Sequence, residues 1–250
     1  MITNSTIEAQ LNHRTIREFT DQPVSDEIMD TLYAVANRTA TSRGLQSVSI
    51  IRVKDPAKRA KLTEIGEQEY VGRAPIYIMF IVDARRNAAI LREKGLDDSR
   101  SGSMKVFLEA FTDACLMAQN VTVAAESLGL GANYLGSIHN DDAGVIETLG
   151  LPKYTYPVLG MTLGYPNVDP QVKPRIPVSL RVMEDGYQDQ DSWLEALSDY
   201  DQEMTTYYDT RNLNTRSDTY TNTVVNILGP DAPKRAVDPM TMVRQGFQMG

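Results

Sequence analysis

The sequence predicts a helix-rich fold built on a sheet, α+β or α/β in class. Three observations predict it. The runs "PIYIMFIVD" (75–83) and "PVLGMTLGYP" (157–166) are nearly all apolar and read as strands buried on both faces. Between them, residues 104–129 carry one long helical pattern, apolar over more than one stripe. Helical and strand-like segments then alternate until about Pro177, where the character of the chain changes.

The elements follow in order. Ser5 and Glu8 form an S-x-x-E capping box, which predicts a first helix from 6 to about 13. Ser25 caps a second helix, with Asp26 and Glu27 in its first turn and Ile28, Leu32, Val35 and Ala36 on one face. The β-branched "SVSIIRV" (47–53) reads as a strand. A charged helix fills part of "KDPAKRAKLTEIGEQEYVGRAP", and the buried strand 75–83 follows. The long helix 104–129 ends at Gly129, and "ANYLGS" (132–137) is a short strand. Asn140, Asp141 and Asp142 open another helix, closed by Gly150 and Pro152, before the strand 157–166. From Glu184 to Asp209 there are nine acids and no Lys or Arg. Trp193, Leu197, Tyr200, Met204, Tyr207 and Tyr208 fall there at helical spacing, which predicts an amphipathic helix with an acidic outer face. The tail beyond 211 has weak patterning.

Composition narrows the function. The 250 residues carry a net charge of -8, which disfavours sequence-independent nucleic-acid binding. Two histidines and one cysteine, with no C-x-x-C or H-E-x-x-H, argue against a metal site. Cys115, alone in an apolar helix, reads as an inert core residue, and a lone cysteine suits a reducing compartment. The N-terminus shows no secretory pattern and no run approaches a membrane span, so a cytoplasmic location is expected.

Against this acidic background two basic clusters stand out. His13, Arg14 and Arg17 lie in "HRTIREF", and Lys173, Arg175 and Arg181 lie in "VKPRIPVSLR". Two such clusters can converge on one anion, since the arginine fork matches phosphate. The first can equally be cations gathered at a helix C-terminus. "GLGANYLG" (129–136) looks like a nucleotide-binding glycine loop but follows a helix and precedes a strand, the reverse of the fingerprint, so it reads as a helix cap and tight turn.

"HRTIREFTDQPVS" resembles the H-R-S-x-R-x-F opening of the nitroreductase family. "GLQSVSII", "GEQEYV", "DACLMAQNVTVAAESLGLGANYLGSI" and "VKPRIP" follow in the family's order and spacing, over about residues 8 to 218. The set resembles the NADPH-preferring branch, the oxygen-insensitive nitroreductases and NADPH–flavin oxidoreductases. The resemblance implies an α+β fold with a central mixed, mainly antiparallel sheet flanked by helices. It implies a single domain over 1–250 whose extension, from about 180, wraps the partner of a homodimer. The long helix would lie in the dimer interface, and each subunit would hold one FMN.

The same resemblance assigns residues. His13, Arg14, Thr15 and Arg17 would hold the FMN phosphate and ribityl chain, joined by Lys173 and Arg175. Gln68 would bond the pyrimidine edge of the flavin. Tyr134, Leu135, Gly136 and Ser137 would run along the isoalloxazine. Thr41, Ser42 and Gln46 would come from the loop before the first strand, across the dimer. Arg211 and Arg216 match arginines that recognise the NADPH 2'-phosphate. Three positions depart from the family pattern: Thr15 replaces Ser, Ser137 replaces a second glycine, and Gly44 replaces a bulkier residue. NADPH would reduce the flavin, then leave for a nitroaromatic, quinone or flavin acceptor, with ping-pong kinetics and no catalytic side chain. The alternative is a flavin carrier or redox sensor without efficient turnover.

Overall fold

The computed structural model describes residues 1–209, 218–232 and 238–248, with the side chains of Tyr208 and Asp209 outside that description. The chain divides into two compact units, Met1–Val168 with Ala236–Gly250, and Asp169–Arg235. The first unit opens with α1 (Ser5–Leu11), α2 (Asp26–Ala36) and β1 (Val48–Arg52). It continues through α3 (Pro56–Gly66), α4 (Tyr70–Arg73), β2 (Ile76–Asp83) and α5 (Arg85–Glu93). Then come α6 (Met104–Ser127), β3 (Gly131–Leu135), α7 (Asp142–Leu149) and β4 (Thr155–Gly164). The second unit holds α8 (Trp193–Ala196), α9 (Ser198–Asp209) and α10 (Tyr220–Leu228), and α11 (Pro239–Arg244) belongs to the first.

The four strands run in the order β1-β2-β4-β3, and every neighbouring pair is antiparallel. The class is therefore α+β. Parallel pairing appears among the described residues as isolated bridges, Thr15 with Ala132 at the free edge of β3 and Ser103 with Gln248. β2 lies in the middle with Ile76 to Val82 all buried, because helices cover both faces of the sheet. Ile76, Ile78, Phe80 and Val82 face α2 and α6, where Met29, Leu32, Ala114, Ala118 and Val121 are buried. Tyr77, Met79 and Ile81 face α3 and α7, where Leu62, Ile65 and Val145 are buried. Each large apolar side chain in these two layers contributes roughly 1.5–3 kcal/mol.

Pairing with β2 skips one residue of β4: Phe80 faces Leu159, but Ile81 faces Pro157. The extra residue, Val158, makes a bulge that flips the side-chain alternation. Tyr156 before it, Val158 itself, and Met161 and Leu163 after it therefore all reach the same core.

Several local expectations need correction. Asn4, not Ser5, caps α1, accepting from the Ile7 amide at 2.9 Å, so α1 starts and ends earlier than the capping box suggests. Asn is at least as good a cap as Ser, and it comes first in the chain. His13 and Arg14 thus lie beyond the C-cap Asn12 rather than in a last helical turn. Helix α6 stops at Ser127, and Gly129 at φ +79° is the left-handed residue just outside it. The acidic helix is two helices, α8 and α9, separated at Leu197. Its apolar stripe is real: Leu197, Tyr200, Met204 and Tyr207 are buried together.

Cys115 is exposed, not core. The neighbouring Ala114 and Ala118 take the buried positions of α6, which turns Cys115 onto the face that also exposes Leu108 and Leu116. Four helices escaped the sequence reading altogether, the first being the single turn α4 in the stretch read as one charged helix. α5 buries Ala88 alone, so its pattern is charged, and α10 and α11 lie in the weakly patterned tail. Phe247 nevertheless packs in the main core, 5.0 Å from the ring of Phe107.

Candidate functional site

The segment "HRTIREF" is an extra edge to the sheet. Ile16 donates its amide to Ala132 O at 3.0 Å, alongside the Thr15 bridge, and buries its side chain against Gly131. A Cβ on Gly131 would stand 2.5 Å from Ile16 Cγ1, so only glycine lets this segment close onto β3. Further along, Thr20 donates to Tyr165 O and Asn167 to Glu18 O, which fixes the segment past the end of β4. Extended backbone alternates its side chains. Ile16 is therefore buried while Thr15 and Arg17 are exposed on either side of it.

His13 is fixed from the other direction. Its Nδ1 lies 2.6 Å from Glu126 Oε1 in the last turn of α6. The same helix face carries Gln119 and Thr122, at positions i and i+3, with Glu126 at i+7. Both reach Tyr134: its hydroxyl lies 2.5 Å from Thr122 Oγ1 and donates to Gln119 Oε1 at 3.2 Å. Burial raises the Tyr134 pKa. The Thr122 hydrogen bond opposes this, while the Glu126 charge adds to it, so the phenol stays neutral. One end of α6 thus positions both the basic segment and β3.

Past Tyr134 the chain makes a 3-10 turn, Gly136–Asn140. Ser137 donates to Gln68 Oε1 at 3.1 Å, which joins this turn to the loop after α3. Gln68 accepts that bond through its side-chain oxygen, and Gly136 opens onto free space. His13, Arg14, Thr15, Arg17, Gln68 and the run Tyr134, Leu135, Gly136, Ser137 are therefore gathered along the β3 edge. Leu135 is buried in the core and presents backbone only.

The loop holding Thr41, Ser42 and Gln46 sits elsewhere. The Ser42 amide and hydroxyl both donate to the buried carboxylate of Asp113, at 2.9 and 3.0 Å. Arg43 bonds Glu109 one turn away on α6. Arg86 and Asn87 of α5 hold the carbonyls of Gln46 and Leu45. The loop runs left-handed at Arg43, Gly44 and Gln46, with φ of 53°, 68° and 51°. Asp113 and Glu126 are thirteen residues apart on one helix, hence about 20 Å. One chain does not bring this loop to the basic segment.

Lys173 and Arg175 lie in the second unit, both exposed, with Arg175 Nη1 donating to Lys173 O at 2.8 Å. Arg211 and Arg216 lie outside the described residues. Sequence reasoning missed Glu126, Asp113, Thr122 and Gln119, the α6 residues that position the site. The helical spacing of Gln119, Thr122 and Glu126 was the available signal, and Asp113 lies off that face.

Comparison with known proteins decides the family. The nitroreductase family model matches residues 11–66 and 65–165, and the model of the nitroreductase family C-terminal domain matches 173–250. The chain belongs to the nitroreductase family. It is 41% identical over 218 residues to the oxygen-insensitive NADPH nitroreductase of Salmonella typhimurium, covering 87% of this chain and 88% of that one. It is 36% identical over 228 residues to an FMN reductase (NADPH) of Bacillus subtilis, covering 90% and 92%. A solved NADPH:FMN oxidoreductase from Vibrio harveyi, complexed with NAD+, superposes with a TM-score of 0.85 at 36% identity, over 98% and 99% of the two chains.

The donor set of this nitroreductase suits a flavin mononucleotide. Cations and a hydroxyl stand at one end of the β3 edge for a phosphate. A carboxamide stands at the other for a heterocycle edge, with an unobstructed glycine between. Among the described residues no cluster of metal-ligating side chains accompanies them, and no helix is long and apolar enough to cross a membrane.

Proposed function

We propose that the chain is an FMN-dependent NADPH oxidoreductase acting on nitroaromatic, quinone or flavin acceptors. The observation that carries this is the β3 edge, where the basic segment, the 134–137 turn and Gln68 converge. FMN, when bound, supplies the chemistry, accepting two electrons from NADPH and passing them on. The residues bind, orient and tune. Arg17, exposed beside the edge, is the principal phosphate ligand, with Arg14, Thr15 and His13 around it. The 2.6 Å contact with Glu126 fixes the ring of His13 rather than leaving it to contact an anion alone. Gln68 donates to the pyrimidine edge while Ser137 holds its carbonyl oxygen. Lys173 and Arg175 supply further positive charge to the same cofactor, and Arg211 and Arg216 recognise the NADPH 2'-phosphate.

We further propose a homodimer in which the C-terminal segment, from about residue 180, extends one nitroreductase-like domain over its partner. Two features support it. The loop of Thr41, Ser42 and Gln46 is held about 20 Å along α6 from the basic segment, so one chain offers two half-sites. The outer face of α6 exposes Leu108 and Leu116, apolar surface suited to a second copy. The single cysteine and the acidic composition fit a cytoplasmic enzyme.

Purified protein should be yellow, and anaerobic mixing with NADPH should bleach it within the catalytic cycle time. A colourless protein that takes up no added FMN would sink this reading. Slow bleaching with tight FMN would leave only a flavin carrier.

A further inference from the structure

A cavity of about 380 Å³ opens where β1 ends and β2 begins, lined by Arg52, Lys54, Pro56, Arg59 and Pro75. Three of these five residues are cations and none is an acid, in a chain of net charge -8. The fold explains their meeting. Arg52 is the last residue of β1, Lys54 lies two beyond it, and Arg59 sits at the start of α3. Pro75 leads into β2, the antiparallel neighbour of β1.

Only part of this charge is neutralised locally, at Arg52. Arg59 is the fixed centre: its guanidinium donates to the carbonyls of Ala74 and Val53. That uses two of its five N–H donors and leaves three. Burial lowers its pKa; Tyr77 opposes this and the Arg52 charge adds to it. Arg52 pairs with Asp26 at 3.2 Å, and the Asp26 side chain is 85% exposed, so solvent shares in offsetting that charge. Asp55, the nearest acid in sequence, is spent on the helix cap, accepting from the amides of Ala57 and Lys58. Lys54 is exposed and has no ion pair among the described residues. Arg59 and Lys54, with the partly offset Arg52, leave a net positive concavity that attracts an anion.

We propose that this corner is a second anion site, taking the phosphate group of a small phosphorylated molecule between Arg52, Lys54 and Arg59. It is distinct from the candidate flavin edge. Three strand spacings, about 14 Å, separate β1 from β3. Pro56 and Pro75 form the apolar walls for whatever the phosphate carries.

The test is calorimetric titration of the FMN-loaded protein, whose cofactor already fills its own phosphate site. Inorganic phosphate and ribose 5-phosphate are the probes, with chloride at matched ionic strength as control. Saturable binding of one equivalent is expected in the wild type. Arg52→Gln with Lys54→Gln should weaken it about tenfold or more, the loss expected for a charge-assisted bond, while FMN is retained. Should that double variant fold poorly, Lys54→Glu at an exposed position should show the same direction. Equal affinity for the two probes assigns the site to free phosphate, and tighter ribose 5-phosphate to a phosphorylated metabolite. Heat that chloride reproduces, or equal binding by wild type and variants, would mean an adventitious ion only and overturn the proposal.

Discussion

His139 shows how much a single residue can carry outside the reaction. Its Nδ1 lies 2.6 Å from Asp142 Oδ1 and its Nε2 lies 2.9 Å from Val158 O. Both partners only accept, so both ring nitrogens donate and the imidazolium form fits best. Asp142 is buried and also accepts from the Tyr156 hydroxyl at 2.6 Å. Val158 is the bulged residue of β4, so His139 ties the 3-10 turn after β3 to an irregularity in its neighbour. Burial alone would lower the His139 pKa; the bonds to Asp142 and Val158 and the Asp142 charge outweigh it, and the net shift is upward. A raised folded-state pKa means this stabilisation is complete below the unfolded value of about 6.5 and is lost as pH climbs through the folded value. Denaturation midpoints should therefore fall in the wild type as pH rises above about 6.5. His139→Gln should be less stable at the acid end and flatter across that range. An unchanged slope in the variant would show that His139 is not the titrating group. The flavin edge makes its own residue-scale prediction. Arg17→Ala should weaken FMN roughly tenfold or more, on the scale of one charged hydrogen bond, with the fold intact. Yellow colour retained through dilution would count against it.

At the level of elements, legibility in the sequence followed burial. All four strands are found where apolar runs or β-branched residues predict them, α2, α6 and α7 follow their patterning or end signals, and α3 is the charged helix expected between the first two strands. A helix such as α5, with one buried residue, leaves almost no hydrophobic signal, yet its Arg86 and Asn87 hold the loop before β1. The β4 bulge was equally invisible, because "PVLGMTLG" is apolar on both faces whichever way it alternates. Gly160 is the sequence trace of that region. A Cβ there would lie 3.0 Å from the Tyr77 ring and 3.2 Å from Leu135, between two fully buried side chains. Gly160→Ala should cost about 1–3 kcal/mol by overpacking. Since Leu135 adjoins the 136–137 turn, it should loosen FMN as well. A variant as stable as wild type in urea would show that the Tyr77 ring gives way freely.

Across the whole molecule, the candidate site was legible as a family pattern but not as a geometry. The motif residues at 13–17, 68 and 134–137 converge on one edge because α6 anchors His13 and Tyr134 at its C-terminal end. The loop motif at 41–46 diverges because Asp113 anchors it near the middle of the same helix. Nothing local to "HRTIREF" or "GLQ" records that separation; it follows from the helical rise between two carboxylates. If two copies complete each site, defects in the two halves must complement. Arg17→Ala and Gln46→Ala should each bind FMN weakly as pure dimers. After subunit exchange at equal concentrations, half the dimers are mixed, and each mixed dimer holds one intact site and one with both defects. About a quarter of all sites should then regain tight FMN, as expected for a two-fold symmetric pair. The readout is flavin retained after rapid gel filtration, compared with the unmixed variants. If each chain builds its site alone, mixing recovers nothing, and the shared site is wrong even when the protein is a dimer.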